Sequence, residues 1–342
     1  MKTYLVTGGC GFIGSNFIYY MFKKHPAIKI INLDKLTYDS NLENLINLKN
    51  NLDYTFIRGD ICDKEIVENI FSDNDIDYVV NFAAETHLDR SINDVEPFVK
   101  TNVLGTVTLL NSAKSAWLTG DTFKEEKKFL QISTDEVYGS LVDTGYFIET
   151  TPIAPHSPYS SSKAGADLIV QAYFDTYKMP INITRCSNNY GAYQFPEKLI
   201  PLIINNCLKH KNLPIYGSGM NIRNWLYVED HCSAIDIVIK YGKYGEVYNI
   251  GGHNEINDLQ IVKKIINYIN INKDKKVNED LITYVGDRKG HDMRYGIDQK
   301  KITQELGWHI QTNIEVGIGK TIDWYLQNEE WLNNITSGEY LR

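Results

Sequence analysis

Cysteine is scarce here, and none of it is spaced for metal or disulfide chemistry. Cys10, Cys62, Cys186, Cys207 and Cys232 are an odd set of five with no Cys-x-x-Cys pair. A zinc site or a disulfide framework is therefore disfavoured, no metal is expected, and reduced thiols are. No run approaches the ~20 consecutive apolar residues of a membrane-crossing helix. No apolar leader opens the chain, which begins a strand at once. These absences predict a cytoplasmic protein with no membrane partner. Excess positive charge is also missing. The 35 Lys and Arg stand against 43 Asp and Glu, a net charge of -8, which argues against non-specific nucleic-acid binding. Internal repeats and low-complexity tracts are lacking too.

What remains is ordinary for a globular protein: 342 residues, 43% apolar and 23% charged, enough for a large core and two lobes. The first half alternates short apolar runs (Tyr54–Ile57, Asp77–Phe82, Lys128–Ser133, Ile181–Arg185) with helical stretches such as Val103–Ala116. Strands separated by helices imply right-handed crossovers and a parallel sheet covered on both faces. The expected fold class is α/β, a Rossmann-type doubly wound parallel sheet with a smaller mixed α/β substrate-binding lobe. Residues 1–190 are assigned to the first unit, a strand and helix near 220–250 return to it, and 191–342 form the smaller, interleaved lobe. The lysine-rich stretch 270–278 reads as a solvated loop.

The apolar run Tyr4-Leu5-Val6 enters Thr7-Gly8-Gly9-Cys10-Gly11-Phe12-Ile13-Gly14, and a helical pattern leaves it. Strand, glycine turn and helix suit a pyrophosphate. The first glycines let the backbone approach it, the last lets helix and strand pack closely, and the helix N-terminus offers free N–H groups. The next strand pattern ends in Asp34, 20 residues after Gly14. An acid there accepts hydrogen bonds from adenosine ribose hydroxyls and repels a 2′-phosphate, so NAD is expected over NADP.

Tyr159 and Lys163 are four apart in a helical run, hence on one face. A lysine ammonium beside a phenol favours the phenolate, so a lowered tyrosine pKa and a proton acceptor for an alcohol are expected. Strand 129–132 ends in Ser133-Thr134-Asp135-Glu136. Thr134 suits a hydrogen bond to a substrate hydroxyl and a share in the proton transfer. Hydride loss from an alcohol needs one base; Asp135 and Glu136 together suggest a further acid–base step such as elimination of water. Two solvated carboxylates, or a helix N-terminus, would look the same.

These stretches resemble the extended short-chain dehydrogenase/reductase family: Thr7–Gly14, Asp34-Lys35-Leu36-Thr37-Tyr38, Ala83-Ala84-Glu85-Thr86-His87, Thr134-Asp135-Glu136, Tyr159-Ser160-Ser161-Ser162-Lys163 and Ser187-Asn188-Asn189-Tyr190-Gly191. The likeness runs nearly full length and is strongest to members that dehydrate nucleotide sugars. It implies C4 oxidation with Tyr159 as base, Glu136 removing the C5 proton, Asp135 protonating the departing C6 hydroxyl, and hydride return to C6 with NAD regenerated. For the cofactor it implies Gly8, Gly11, Phe12, Ile13 and Gly14 at the pyrophosphate. Asp34, Lys35, Leu36 and Thr37 fall at the ribose, and Asp60 and Ile61 at the adenine. Ala83, Ala84, Glu85 and Thr101 follow, with Tyr159, Lys163 and Asn189 at the nicotinamide.

For the substrate, dTDP-glucose or a similar nucleoside diphosphate glucose, the resemblance implies Thr86, His87, Thr134, Asn188, Lys198, Leu199, Pro214, Ile215, Tyr216, Arg223, Asn257, Arg288 and His291. Arg223 and Arg288 are the phosphate-binding candidates, since guanidinium grips phosphate through paired donors. A structural role stays open for several, His87 as a core histidine above all. A homodimer through the helices 103–116 and 161–177 is also implied. The chain departs from the family pattern at Cys10, Lys289, Met293 and Gly296, and its segment 140–151 is short. A 4-epimerase or decarboxylase of the same fold, or a non-catalytic NAD-binding regulator, remains an alternative; neither accounts for the paired acids.

Overall fold

The computed structural model describes residues 1–141, 144–252, 254–286 and 292–338. Seven parallel strands form its main sheet: β1 (Lys2–Thr7), β2 (Ile28–Asp34), β3 (Tyr54–Arg58), β4 (Tyr78–Asn81), β5 (Lys128–Thr134), β6 (Ile181–Cys186) and β7 (Val247–Ile250). Their order is β7-β6-β5-β4-β1-β2-β3. Every residue of β5 and β6 is buried, as expected of central strands sandwiched between helix layers. The order reverses between β1 and β4, so a crevice opens beyond their carboxyl ends.

One face is covered by α1 (Phe12–Lys24). Its Phe17, Ile18 and Met21 share a core with Cys232, Ile235 and Val238 of the helix Val228–Tyr241. The other face is covered by Thr106–Trp117 and by α2 (Pro158–Tyr177), which contribute Leu109, Leu110, Ala113 and Val170. The helix expected from Val103 is preceded by a π-helical stretch, Val99–Gly105. It carries Thr101, and Gly105 lies where a Cβ would strike Ile61.

The second lobe has its own core, in which Ile203, Ile204, Ile261, Ile265, Ile318 and Ile322 meet. Its sheet joins Ile222–Tyr227 to Asn188–Tyr190 in parallel and to Asn254–Asn257 antiparallel. A two-stranded parallel pair, Leu213–Tyr216 with Ile282–Val285, lies beside it. The chain crosses back twice. Strand β7 pairs with β6, and Ile302 and Trp308 pack into the first core. The stretch 270–278, expected as a solvated loop, is largely exposed, but its first three residues end the helix Asp258–Asn272 and Val277 is fully buried. Among the described residues no helix is long and apolar enough to cross a membrane.

Candidate active site

At the crevice the glycine turn is forced by space. Gly8 has φ +68°, and a Cβ there would sit 2.7 Å from the Ala83 nitrogen. A Cβ on Gly14 would run into the Gly8 carbonyl. Strands β1 and β4 and the start of α1 therefore converge only with glycine at these positions. Helix α1 opens on Gly11 with no side-chain cap and no acidic residue in its first turn. Its N-terminal donors are left for an anion, so the turn fits a dinucleotide pyrophosphate.

Asp34, expected at the ribose, is bonded to the protein itself. Its Oδ2 accepts from the Cys10 N–H at 2.9 Å, and its Oδ1 accepts from Leu36 N–H and Ser40 Oγ, both at 2.8 Å. The carboxylate ties β2 to the glycine turn. Burial raises its pKa, and those three donors oppose the rise. Lys35 Nζ lies 2.7 Å from Asp60 Oδ2. Burial alone would raise the Asp60 pKa; the Lys35 ammonium and the Cys62 N–H outweigh it and hold it low. Gly8, Gly11, Phe12, Ile13, Gly14, Asp34, Lys35, Thr37, Asp60, Ile61, Ala83, Ala84, Glu85 and Thr101 line one continuous cleft. Leu36 does not: its φ is +59° and its side chain packs on the first core.

The same cleft is lined by Thr134, Asp135, Glu136, Tyr159 and Lys163. Two local devices bring them there. Thr134, the last residue of β5, caps a short 3-10 turn by accepting from the Glu136 N–H at 3.3 Å. Its hydroxyl in turn donates to Asp135 Oδ1 at 3.4 Å. Ser157 caps α2 in a reciprocal box with Ser160, and Pro158 takes the first helical position, where its missing N–H costs nothing. Tyr159 and Lys163 then face the strand end, and Lys163 Nζ donates to the Ile132 carbonyl at 2.7 Å.

Electrostatics part the two acids from ordinary carboxylates. Burial, reinforced by the Glu136 charge and opposed by Arg223, pushes the Asp135 pKa up to about 8. Asp135 Oδ2 is buried without a hydrogen-bond partner. Burial also raises Glu136, against the pull of Arg223 and Lys198. The lowered Tyr159 pKa expected from the Tyr-Lys spacing is not found. Burial, then the charge of Glu136, raises it well above 10.0. Lys163 is spent on the Ile132 carbonyl, and its own pKa is lowered by burial. The expectation counted the lysine but not the carboxylates folded beside the phenol.

On the substrate side Thr86, Asn188, Asn189 and Lys198 line the cleft. Asn188 Oδ1 is buried and unpartnered. Asn189 Nδ2 donates to the Ser187 carbonyl at 2.9 Å, and its Oδ1 lies 2.9 Å from His231 Nδ1. His87 stays out of the cleft wall: its Nδ1 accepts from the Arg90 N–H and its Nε2 is 3.2 Å from Glu197. Asn257 caps the helix Asp258–Asn272 with Gln260. Leu199 and Ile215 belong to the second core, and Pro214 and Tyr216 flank Ile215 in its strand. Arg223 is 7% exposed, donates to the Ile222 carbonyl and lies over the Tyr295 ring at 4.7 Å. Its charge faces Asp135 and Glu136. Arg288, His291 and Lys289 lie outside the described residues.

Several lining residues were given no role from sequence: Asp39, Ser40, Phe82, Ser133, Cys186, Ser187, Gln194 and Phe195. Ser187 stood inside a recognised stretch. Asp39 and Gln194 carried no spacing signal. Asp39 Oδ2 accepts from Thr86 Oγ1 at 3.1 Å.

The chain is similar to known proteins over nearly its whole length. A family model described as GDP-mannose 4,6 dehydratase matches residues 5–321. A dTDP-glucose 4,6-dehydratase of Xanthomonas campestris pv. campestris (strain B100) is 47% identical, covering 99% of this chain and 97% of the relative. The crystal structure of a dTDP-glucose 4,6-dehydratase from Bacillus anthracis str. Ames in complex with NAD superposes with a TM-score of 0.89. It is 48% identical, covering 98% of this chain and 100% of that one. One from Streptomyces venezuelae, also with NAD bound, has a TM-score of 0.90 at 41% identity, covering 97% of this chain and 99% of that one. With near-complete coverage in both directions and the paired acids in place beside Tyr159, the chain belongs to the dTDP-glucose 4,6-dehydratase family.

Proposed function

We propose that this chain converts dTDP-glucose to dTDP-4-keto-6-deoxyglucose as an NAD-dependent hydro-lyase. The observation that carries the reading is the sharing of one cleft by the glycine turn, Tyr159 and the Asp135–Glu136 pair. NAD, when bound, supplies a hydride acceptor at C4 that is also the donor to C6, so it is regenerated each cycle and stays with the protein.

The chain's own residues do the proton work. Tyr159, assisted by Thr134, takes the C4 hydroxyl proton as C4 loses hydride, once the phenol has given up its own tightly held proton under the positive charge of Lys163 and of NAD, when bound. Lys163, fixed to Ile132, holds positive charge beneath that step. The new 4-ketone makes the C5 proton acidic, and Glu136 takes it. Asp135, whose raised pKa keeps it protonated near neutral pH, gives its proton to the departing C6 hydroxyl. Each positioned acid or base contributes on the order of 10²–10⁴-fold. Lys198, Thr86 and Asn188 bind the nucleotide sugar. Gly8, Gly11 and Gly14, with Asp34, Lys35 and Asp60, hold the dinucleotide.

Three further assignments belong to this reading. The main sheet, with β7 and the segment around Ile302 and Trp308, is the NAD-binding domain, and the remainder after residue 191 is the sugar-nucleotide lobe. Val99, Leu104 and Leu168 are exposed apolar residues on the helical layer of Val99–Gly105 and α2, which supports a homodimer through that layer. The cytoplasm is the assigned compartment, supported by five free cysteines and by the reduced thiols expected there. Mass spectrometry after incubation with dTDP-, UDP-, CDP- and GDP-glucose tests the whole. Loss of one water, fastest with dTDP-glucose, is expected; an isomer of unchanged mass would overturn the dehydratase reading.

A further inference from the structure

Asp39, to which no sequence motif assigns a role, stands in the wall of the cleft with Glu85, Thr86 and Lys198. Its loop is fastened on both sides. Leu36 N–H and Ser40 Oγ both donate to Asp34 Oδ1 at 2.8 Å. Ser40 N–H donates to the Thr37 carbonyl and Asn41 N–H to the Cys10 carbonyl, both at 3.0 Å. Thr86 is braced from another direction. Glu85, just before it, gives its N–H to Asn102 Oδ1 at 2.8 Å, and its carbonyl accepts from Asn102 Nδ2 at 3.1 Å. Between these two fixed segments Thr86 Oγ1 donates to Asp39 Oδ2 at 3.1 Å. Burial raises the Asp39 pKa; Lys198, and then the Thr86 hydroxyl, oppose the rise.

A threonine hydroxyl has one proton to donate and two lone pairs that accept. Here the proton is engaged by Asp39, so toward a ligand in the cleft Thr86 can only accept. The Asp39 carboxylate accepts too. This stretch of wall suits a ligand group that donates, and it offers nothing to phosphate oxygens, which accept. We propose that Asp39 is a specificity-determining positioning residue that fixes the Thr86 hydroxyl as an acceptor for a ring hydroxyl of the hexose. It acts through Thr86 and not on the reacting atoms. The inference rests on the dehydratase reading. In that reading Tyr159 and Thr134 serve the C4 hydroxyl and Asp135 serves the C6 hydroxyl, so the hydroxyl met by Thr86 is at C2 or C3. Holding one rotor in its bound orientation before the ligand arrives is preorganisation, which favours binding by lowering its ordering cost.

Calorimetry on the NAD-bound protein carrying Tyr159→Phe, which is expected to hold dTDP-glucose without oxidising it, reads this role directly. The ligands are dTDP-glucose, its analogues with fluorine in place of the C2 or the C3 hydroxyl, and dTDP. Fluorine cannot donate. One of the two analogues is expected to bind about tenfold more weakly than dTDP-glucose. Adding Asp39→Ala frees the Thr86 hydroxyl to turn and donate. That variant is expected to bind dTDP-glucose more weakly and to narrow the gap to about twofold, with dTDP affinity unchanged. Asp39→Asn is expected to keep the gap, because its amide oxygen still accepts the Thr86 proton. A full gap in Asp39→Ala, or no gap in the parent, would overturn the proposal. So would an equal loss of affinity for dTDP and dTDP-glucose, the mark of a merely structural role. Water release from dTDP-glucose by the wild type is recorded alongside. Its absence would refute the activity, while the affinities still decide whether Thr86 meets a donor.

Discussion

Lys163 points its ammonium at the Ile132 carbonyl, 2.7 Å away, and this bond fastens helix α2 to the end of strand β5. The phenol one turn earlier is left among carboxylates and keeps its proton more tightly than a free tyrosine. The lysine therefore works by position as much as by charge. It sets the height of Tyr159 over the strand end and supplies the only cation that α2 brings there. Lys163→Met is expected to lower kcat by about 10²-fold or more. Tyr159→Phe is expected to abolish C4 oxidation with little change in folding. Rapid-quench kinetics beside a thermal melt separate the two effects. A Lys163→Met enzyme with wild-type kcat would contradict the assignment.

The two acids should reveal themselves by different limbs of the pH profile. In the proposed reaction Asp135 must be protonated to help the C6 hydroxyl leave, and its pKa is pushed up to about 8. A raised pKa extends the protonated form to higher pH, so elimination is expected to hold through neutrality and fall as pH rises through about 8. Asp135→Asn is expected to lose that alkaline limb and to impair elimination more than C4 oxidation. Stopped-flow absorbance of the reduced cofactor should then show it accumulating before product. Near-normal dehydration by this variant would rule Asp135 out as the acid.

Gly8→Ala tests the packing beneath the cofactor site. A side chain at φ +68° is strained by about 1–3 kcal/mol, and here it also meets the Phe82–Ala83 backbone just beyond β4. A lower Tm and loss of copurified NAD are expected together. Retention of both would show that the turn tolerates what its geometry forbids.

Much of this site was readable because its parts are neighbours in sequence. The turn from Gly8 to Gly14, Asp34 after the next strand, the Thr134–Glu136 triplet and the Tyr159–Lys163 pair each sit at one strand end or on one helix face. Their relative placement follows from the parallel sheet. What escaped depends on contacts across the fold. Asp39 reaches the cleft by a loop and is fixed by Thr86, 47 residues away. Arg223 read as a phosphate ligand from its charge; that its charge also acts on Asp135 and Glu136 follows only from the assembled fold. His87 and Asn257 read as ligands, and in the fold each also satisfies a helix N-terminus, a role that pattern alone did not reveal. The raised Tyr159 pKa was hidden for the same reason, since burial is a property of the assembled site.

Asp34→Ala should uncouple two jobs. The variant leaves the Cys10 and Leu36 N–H groups and the Ser40 hydroxyl without their acceptor, at about 1 kcal/mol for each bond lost. It also removes the charge that repels a 2′-phosphate. Calorimetry is expected to show lower stability, and titration a narrower gap between NAD and NADP. An unchanged preference for NAD would place the discrimination elsewhere.

The most direct test of the central claim follows the fate of reducing equivalents and water in one sample. Freshly purified protein, with no NAD added, is given dTDP-glucose, and product mass and reduced-cofactor absorbance are recorded together. The account predicts a product lighter by one water, many turnovers per site and no net rise in reduced cofactor. Stoichiometric accumulation of NADH, or a product of unchanged mass, would contradict it.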